Sequence, residues 1–182
     1  MNYKKLNNLG GWLVFLISLI VYTLTVEPTA SYWDCGEFIS VSYRLQTPHP
    51  PGVPVYILIA RLFSLLAADK EQIAFWVNMV SVVSSAFTIL FMYWTISFIG
   101  RKVLKIANSV EPTFVQTLLI LSASTVGALS FTFSDSFWFN AGEAEVYAMS
   151  MFFSAFVYWS MLKWESVAEE EGADKWLSLI HI

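Results

Sequence analysis

Two acidic clusters stand beside long uncharged stretches of this chain, and a proline-rich segment lies between them. The first cluster contains Asp34 and Glu37, and the second runs from Asp135 to Glu145. The proline-rich segment contains His49. Carboxylates are costly to place next to apolar segments, so they are typical of a functional site. Carboxylates with an imidazole can act as a general base, orient a phosphate or bind a divalent cation.

Asp34 and Glu37 have the spacing of the N-cap and N3 residues in a capping box. The helix that they would start, Gly36–Gln46, has 11 residues and is too short to cross a bilayer. We expect it to lie along the membrane surface, with Glu37 and Arg44 on its polar stripe. Two roles for Asp34 stay open: it caps the helix, or it acts as a general base or a metal ligand. They are compatible, because a capped carboxylate is also held in place.

His49 is preceded and followed by proline, so its segment cannot continue a helix. The sequence therefore predicts a stiff, irregular turn that presents the imidazole. His49 is then either incidental to the turn or functional. In the functional interpretation it orients a phosphate or a carboxylate, or binds a metal together with Asp34 or Glu37.

The second acidic loop predicts a helix start at Asn140, as the N-cap of the last membrane span. Glu143 and Glu145 would then lie in its first turns, where the helix dipole favours acids. Two residues apart on a helix, they would point about 200° from each other, so we expect only one to face the site. Asp135 opens this loop and is a further candidate for substrate binding.

The composition predicts an integral membrane protein, since 57% of residues are hydrophobic and only 13% are charged. Four stretches lack Asp, Glu, Lys and Arg, and each is long enough to cross a bilayer. These properties exclude a soluble all-α domain. A single cysteine excludes an internal disulfide, and no basic cluster indicates nucleic acid binding. The predicted spans cover about residues 9–26, 73–99, 113–133 and 146–163, the first being an uncleaved anchor.

The distribution of cations fixes the expected topology. The stretch Val55–Ala67 has 13 residues and carries Arg61, so we expect it to lie in the interface instead of crossing. Four crossings then put seven Lys and Arg residues inside and three outside, as the positive-inside rule requires, whereas five crossings reverse the bias. Residues 27–71 and 134–145 become two outer loops on one face. The predicted fold is an all-α polytopic bundle in which both acidic clusters can converge.

Three motifs in order resemble the GT-C membrane glycosyltransferases. They are Tyr32–Phe38, His49–Gly52 and Phe137–Tyr147. The match is closer to one branch, a family of unknown function that is common in bacteria and has animal members that are protein O-mannosyltransferases. The resemblance covers most of residues 10–165.

The resemblance implies an inverting enzyme that moves a sugar, mannose among the candidates, from a polyprenyl or dolichyl phosphate to a protein Ser or Thr hydroxyl or another acceptor. It implies that Asp34 activates the acceptor and that Glu37 assists it or helps to hold a divalent metal. His49 would position the donor phosphate, and Glu143 or Glu145 would complete the site. No cofactor beyond such a metal is implied.

Family members are much longer, so we expect this chain to be an N-terminal fragment, inactive alone, whose last residues, Trp176–Ile182, begin another segment. We expect the bacterial inner membrane, with the site on the periplasmic face. Of the outer cations Arg44, Arg61 and Lys70, the first is a candidate ligand for the donor phosphate. The alternative function is a transporter or flippase fragment with an acidic substrate or proton site, and a third interpretation is a scaffold protein.

Overall fold

The computed structural model describes residues 2–107 and 109–179, and all regular secondary structure within them is helical. The prediction of an all-α membrane fold is confirmed. Of the further segment predicted at Trp176–Ile182, residues 176–179 are described and residues 180–182 lie outside the described residues. In chain order the helices are α1 (Tyr3–Thr25), α2 (Cys35–Arg44), α3 (Pro54–Ser64), α4 (Ile73–Val103), α5 (Phe114–Thr132), α6 (Asp135–Ala141), α7 (Val146–Val167) and α8 (Asp174–Ser178).

Among the described residues, three helices are long and apolar enough to cross a membrane, namely α1, α4 and α5. The chain is therefore a multi-pass membrane protein. The predicted fourth span, α7, has 22 residues, or about 33 Å of helix, so its length suffices. Its apolar run is interrupted by serines and ends with Lys163 and Glu165. Four crossings therefore remain a prediction.

The first acidic loop contains two short helices that pack against each other, α2 and α3. With 11 residues, α3 is about 17 Å long, which is too short for a hydrocarbon core of about 30 Å. Arg61 of α3 donates a 2.8 Å hydrogen bond to the carbonyl oxygen of Tyr43 in α2. Its guanidinium also lies 5.2 Å from the centroid of the Tyr43 ring. The arginine in the middle of this apolar stretch thus holds two short helices together.

The chain divides into two compact units. Unit 1 is formed by the described residues of Met1–Ile17, Phe87–Thr132 and Phe153–Ile182, and unit 2 by Ser18–Ala86 and Phe133–Phe152. Both acidic loops, with every site residue predicted from the sequence, belong to unit 2.

The core of unit 2 joins the end of α1 to the second acidic loop. Tyr22 is fully buried, and its ring centroid lies 6.2 Å from that of Phe137 in α6. The indole nitrogen of Trp138 donates a 2.8 Å hydrogen bond to the hydroxyl of Thr25. These contacts attach α6 to α1 and so fix where the second acidic loop begins.

Candidate functional site

Asp34 occupies the N-cap position of α2, as the sequence predicts, but its side chain makes no capping hydrogen bond. The carboxylate is exposed. Glu37 does not reach back to the helix start and instead accepts hydrogen bonds from His49. The capping-box prediction is therefore wrong in its bonding, because His49 supplies two donors to Glu37 where the helix start would supply one.

The Glu37–His49 pair links α2 to the proline-rich turn. Glu37 accepts from the backbone N–H of His49 through one carboxylate oxygen and faces ring atom Nδ1 through the other, both at 2.8 Å. The hydrogen bond from the His49 ring lowers the pKa of Glu37. The same bond, followed by the Coulomb attraction of Glu37, raises the pKa of His49. Each shift favours the charged form of its group, a carboxylate on Glu37 and an imidazolium on His49.

Asp34, Glu37 and His49 bring one ligand atom each to within 4.8 Å of one another. A mixed set of carboxylate oxygens and an imidazole nitrogen suits several divalent ions. Coordination through His49 Nδ1 at about 2.0–2.3 Å would break its 2.8 Å contact with Glu37. The donor set is therefore compatible with a divalent ion, and these three residues would hold it.

The second acidic loop differs from its prediction. Asn140 is not the N-cap of the last span but lies inside α6, where its side chain donates to the carbonyl of Ser136 at 2.8 Å. The last long helix, α7, begins only at Val146. Glu143 and Glu145 thus lie in the turn between two helices, and the angular argument that separates them on a helix does not apply.

Glu143 and Glu145 are the buried acidic residues among those that the structure describes, each 5% exposed. Burial raises the pKa of the Glu145 carboxyl to about 6, and the negative charges of Asp34 and Glu143 act in the same direction. Glu145 is therefore electrostatically coupled to the first acidic loop. Its charge also contributes to the raised pKa of His49. Both glutamates are buried, so which of them faces the site stays a prediction.

Glu143 connects the two loops through a short hydrogen bond from the hydroxyl of Ser31. Close by, the backbone N–H of Glu27 donates to the carbonyl of Gly142 at 2.9 Å. One side-chain and one main-chain bond thus join the residues before α2 to the turn after α6. The convergence of the two acidic loops, which the sequence predicts only from topology, is present in unit 2.

Asn78 and Ser81 of α4 position both loops, and the sequence did not single them out as site residues. The fully buried Asn78 amide donates to the carbonyls of Glu27 at 2.6 Å and Thr29 at 3.0 Å. Its oxygen accepts a 3.7 Å hydrogen bond from the Cys35 thiol. The Ser81 hydroxyl donates to the carbonyl of Glu145 at 3.3 Å. A lone asparagine in an uncharged span was the signal that could have identified this anchor.

Two further candidates lie apart from the acid–imidazole cluster. Arg44 and Lys70 line an open pocket of about 440 Å³ together with Ser40 and Tyr43. Asp135 is exposed at the first position of α6 and is not a member of the acid–imidazole cluster found among the described residues. The structure therefore gathers Asp34, Glu37, His49 and Glu145. Arg44 of α2 and Lys70 of the loop before α4 share a separate pocket, and Asp135 lies outside the acid–imidazole cluster.

Comparison with known proteins identifies relatives of this chain. It is 27% identical over 148 residues to a Dictyostelium discoideum protein named protein O-mannosyl-transferase tmem260. The aligned region covers 79% of this chain and 15% of the relative. It is 29% identical over 87 residues to the Mus musculus protein O-mannosyl-transferase TMEM260. That aligned region covers 48% of this chain and 12% of the relative. The chain thus spans less than a sixth of the length of these relatives.

No solved structure matches this chain. A family model described as the protein O-mannosyl-transferase TMEM260 N-terminal domain matches residues 34–182. The match begins at Asp34 and includes the whole candidate site, except the contacts made by Glu27, Thr29 and Ser31 before it. The chain therefore belongs to the family of protein O-mannosyl-transferase TMEM260 N-terminal domains.

Proposed function

We propose that this chain forms part of a GT-C-type glycosyltransferase that moves a sugar from a polyprenyl or dolichyl phosphate to a protein Ser or Thr hydroxyl. The observation that carries the proposal is the convergence of Asp34, Glu37 and His49 within 4.8 Å, beside the buried Glu145. The relatives are named protein O-mannosyl-transferases, which supports mannose as the sugar.

In the proposed inverting reaction, Asp34 is the general base. The acceptor oxygen attacks the anomeric carbon of the donor, and its proton passes to the Asp34 carboxylate. The bond between the anomeric carbon and the phosphate oxygen breaks, and the lipid phosphate leaves with the electron pair. The exposed carboxylate of Asp34, which no capping bond occupies, supports this role.

Glu37 and His49 assist in this scheme from the same cluster. The raised pKa of His49 favours an imidazolium, which can donate a hydrogen bond to a phosphate oxygen. Alternatively, a divalent ion held by Asp34, Glu37 and a neutral His49 would supply charge stabilisation to the leaving phosphate, in place of the imidazolium and of the bond between His49 Nδ1 and Glu37. Glu37 keeps the His49 ring in place through the two 2.8 Å contacts.

The donor phosphate has a second set of partners along α2. Glu37, Ser40 and Arg44 follow one another at spacings of three and four residues, which places them on one face of the helix. Seven residues of helix correspond to about 10 Å, so a phosphate near Arg44 and Lys70 would leave room for one sugar near Glu37. The pocket shared by these two cations supports this arrangement.

Glu145 is the alternative base. A carboxyl with a pKa of about 6 is better matched to proton transfer near neutral pH than an ordinary one. Its burial means that an acceptor would have to enter the turn between α6 and α7 to reach it. Exposure favours Asp34 as the group that meets the acceptor, with Glu145 receiving or sharing the proton afterwards.

The proposed site faces the extracytoplasmic side, following the distribution of Lys and Arg. Impermeant thiol labelling tests this in a Cys35→Ser background, with single cysteines at the exposed positions Thr47, Ser136 and Ser109. Labelling from outside at Thr47 and Ser136 but not at Ser109 agrees with a shared outer site. The bacterial inner membrane stays a prediction, since the Dictyostelium discoideum and Mus musculus relatives are eukaryotic.

The rival function, a transporter or flippase, expects ionisable groups within the spans. The three candidate spans contain no Asp or Glu, which favours the transferase. Membranes containing the full-length protein that carries this sequence should transfer radiolabelled mannose from dolichyl phosphate to a Ser/Thr-rich peptide. Accumulation of donor inside sealed vesicles, with no sugar covalently attached to peptide, would refute the proposal.

A further inference from the structure

A pocket of about 440 Å³ lies entirely in unit 1, and none of its lining residues belongs to the candidate site. Its walls come from the start of α1, the C-terminal part of α4 with the loop after it, and the end of α7. Three cations, Lys4, Arg101 and Lys163, line it together with Trp94 and Trp159. Cationic groups are thus combined with an aromatic wall.

The two carboxylates that also line the pocket do not neutralise these cations. Glu111 accepts a 3.2 Å hydrogen bond from the backbone N–H of Tyr3, so it serves the start of α1. Glu170 is exposed. Within residues 2–107 and 109–179, the ion pairs are His49–Glu37 and Lys102–Glu165. Neither pairs a lining carboxylate with a lining cation.

Lys4 and Lys163 come from opposite ends of the sequence and repel each other electrostatically. The Lys163 ammonium lies 5.6 Å from the centroid of the Trp159 ring, and the Trp94 ring centroid lies 5.6 Å from that of Trp159. Lys4 and Lys163 both line the pocket, and like charges brought near each other favour an anion between them. The geometry therefore offers two ammonium groups for an anion and an aromatic surface for an apolar group.

Arg101 completes the cationic wall and is held rigidly. One of its nitrogens donates to the carbonyls of Ala107 at 2.7 Å and Val110 at 2.9 Å. Its guanidinium also lies 5.0 Å from the centroid of the Tyr3 ring. A side chain fixed in this way keeps its positive charge at the pocket at little further entropic cost.

We propose that this pocket binds the phosphate group of an anionic membrane lipid, between Lys4 and Lys163 and beside Arg101. The apolar part of the lipid would lie against Trp94 and Trp159. A lipid is favoured over a soluble phosphate ester because Lys4 and Arg101 lie at the ends of the candidate membrane spans α1 and α4, with Trp94 on the same wall, and tryptophans and cations at span ends meet headgroups. This site is additional to the proposed transferase site and does not depend on it.

The test uses the chain purified in detergent and native mass spectrometry to measure binding of dioleoyl phosphatidic acid, with phosphatidylcholine as the zwitterionic comparison. The pocket variant is Lys4→Gln with Lys163→Gln. The matched control is Lys5→Gln with Lys105→Gln, which removes the same charge from exposed residues that do not line the pocket. The expected loss of phosphatidic acid affinity is about thirtyfold in the pocket variant and less than about threefold in the control.

A variant with arginine at both pocket positions should keep binding, which separates loss of charge from loss of folding. Equal losses in the pocket and control variants would overturn the proposal, because the effect would then belong to surface charge in general. No preference of the wild-type chain for phosphatidic acid over phosphatidylcholine would also overturn it. Full displacement of the lipid by millimolar inorganic phosphate would reject the lipid as the source of the phosphate.

Discussion

Asn78 offers a sharp test of how the first acidic loop is held, because its amide is fully buried and serves three partners. Replacement by alanine removes the donors to the carbonyls of Glu27 and Thr29 and the acceptor of the Cys35 thiol. A buried group left without its partner costs about 1–3 kcal/mol, and about 1–2 kcal/mol is expected for each carbonyl here because both hydrogen bonds are only part-buried. Two orphaned carbonyls therefore predict a loss of about 2–4 kcal/mol in the stability of the loop.

The single cysteine of the chain provides the assay. Cys35 is fully buried, so a thiol-reactive dye labels it only when the start of α2 opens. A loss of about 2–4 kcal/mol raises the population of the open state about 30-fold to several hundredfold, and the labelling rate should rise with it. Asn78→Ala should therefore label far faster than wild type at a temperature where the protein is folded.

Ser85 supplies the matched control, since it is fully buried on the same helix and its hydroxyl has no hydrogen-bond partner among the described residues. Ser85→Ala should label within about twofold of wild type. Slow labelling of Asn78→Ala would refute the reasoning. Equally fast labelling of both variants would show that loss of any polar side chain in α4 loosens the protein. Asn78 would then not be a specific anchor of the first acidic loop.

Three further predictions concern the acidic loops. Burial and neighbouring acids raise the pKa of Glu145 from 4.5 to about 6, so the contribution of Glu145 to the stability of wild type falls as pH rises between these values. In thermal unfolding, Glu145→Gln should be more stable than wild type by about 2 kcal/mol above pH 6 but not below pH 4.5. Glu37→Gln should lower the pKa of His49 in an NMR titration, with the other histidine removed for assignment, and an unchanged pKa would contradict the pairing. Ser31→Ala should cost about 1–3 kcal/mol because buried Glu143 loses a donor, whereas the exposed Ser40→Ala should cost less than about 0.5 kcal/mol in chemical denaturation.

The sequence predicted the parts of this fold that depend on composition and period. Uncharged runs located the long helices, and the short length of Val55–Ala67 indicated a helix that does not cross. The shortness of α2 and α3 also follows from the sequence, whereas the outer side of the membrane assigned to their loop stays a prediction from the distribution of Lys and Arg. These features arise from the bilayer acting on each segment separately, so no knowledge of contacts is needed.

The hydrogen bonds of the site could not be predicted in the same way. Asp34 and Glu37 have the spacing of a capping box, yet Glu37 bonds to His49, because a residue twelve positions away supplies two donors at once. Asn140 has the pattern of a helix start, but the contacts of Phe137 and Trp138 with α1 stabilise a short helix around it. Tertiary contacts thus override local preferences where the chain is irregular.

The anchoring role of Asn78 could not be predicted from the sequence, because it also depends on tertiary contacts. A polar residue in an apolar span can face a neighbouring helix, a cavity or a loop, and the sequence does not say which. Only the folded chain shows that its amide meets two carbonyls in the segment before α2. Sequence patterns located the candidate site residues, whereas the residues that position them were identified only in the folded chain.

The most direct test of the central claim is the rate of sugar transfer by Asp34→Asn, measured in membranes containing the full-length protein at matched expression. The matched control is Asp69→Asn, in the same loop, where the carboxylate accepts a 3.0 Å hydrogen bond from the backbone N–H of Gln72 and asparagine can replace it. Loss of a general base predicts a fall of about 10²–10⁴-fold in the rate for Asp34→Asn and little change for Asp69→Asn. Near-normal transfer by Asp34→Asn would contradict the account, and Glu145 would then become the residue to examine.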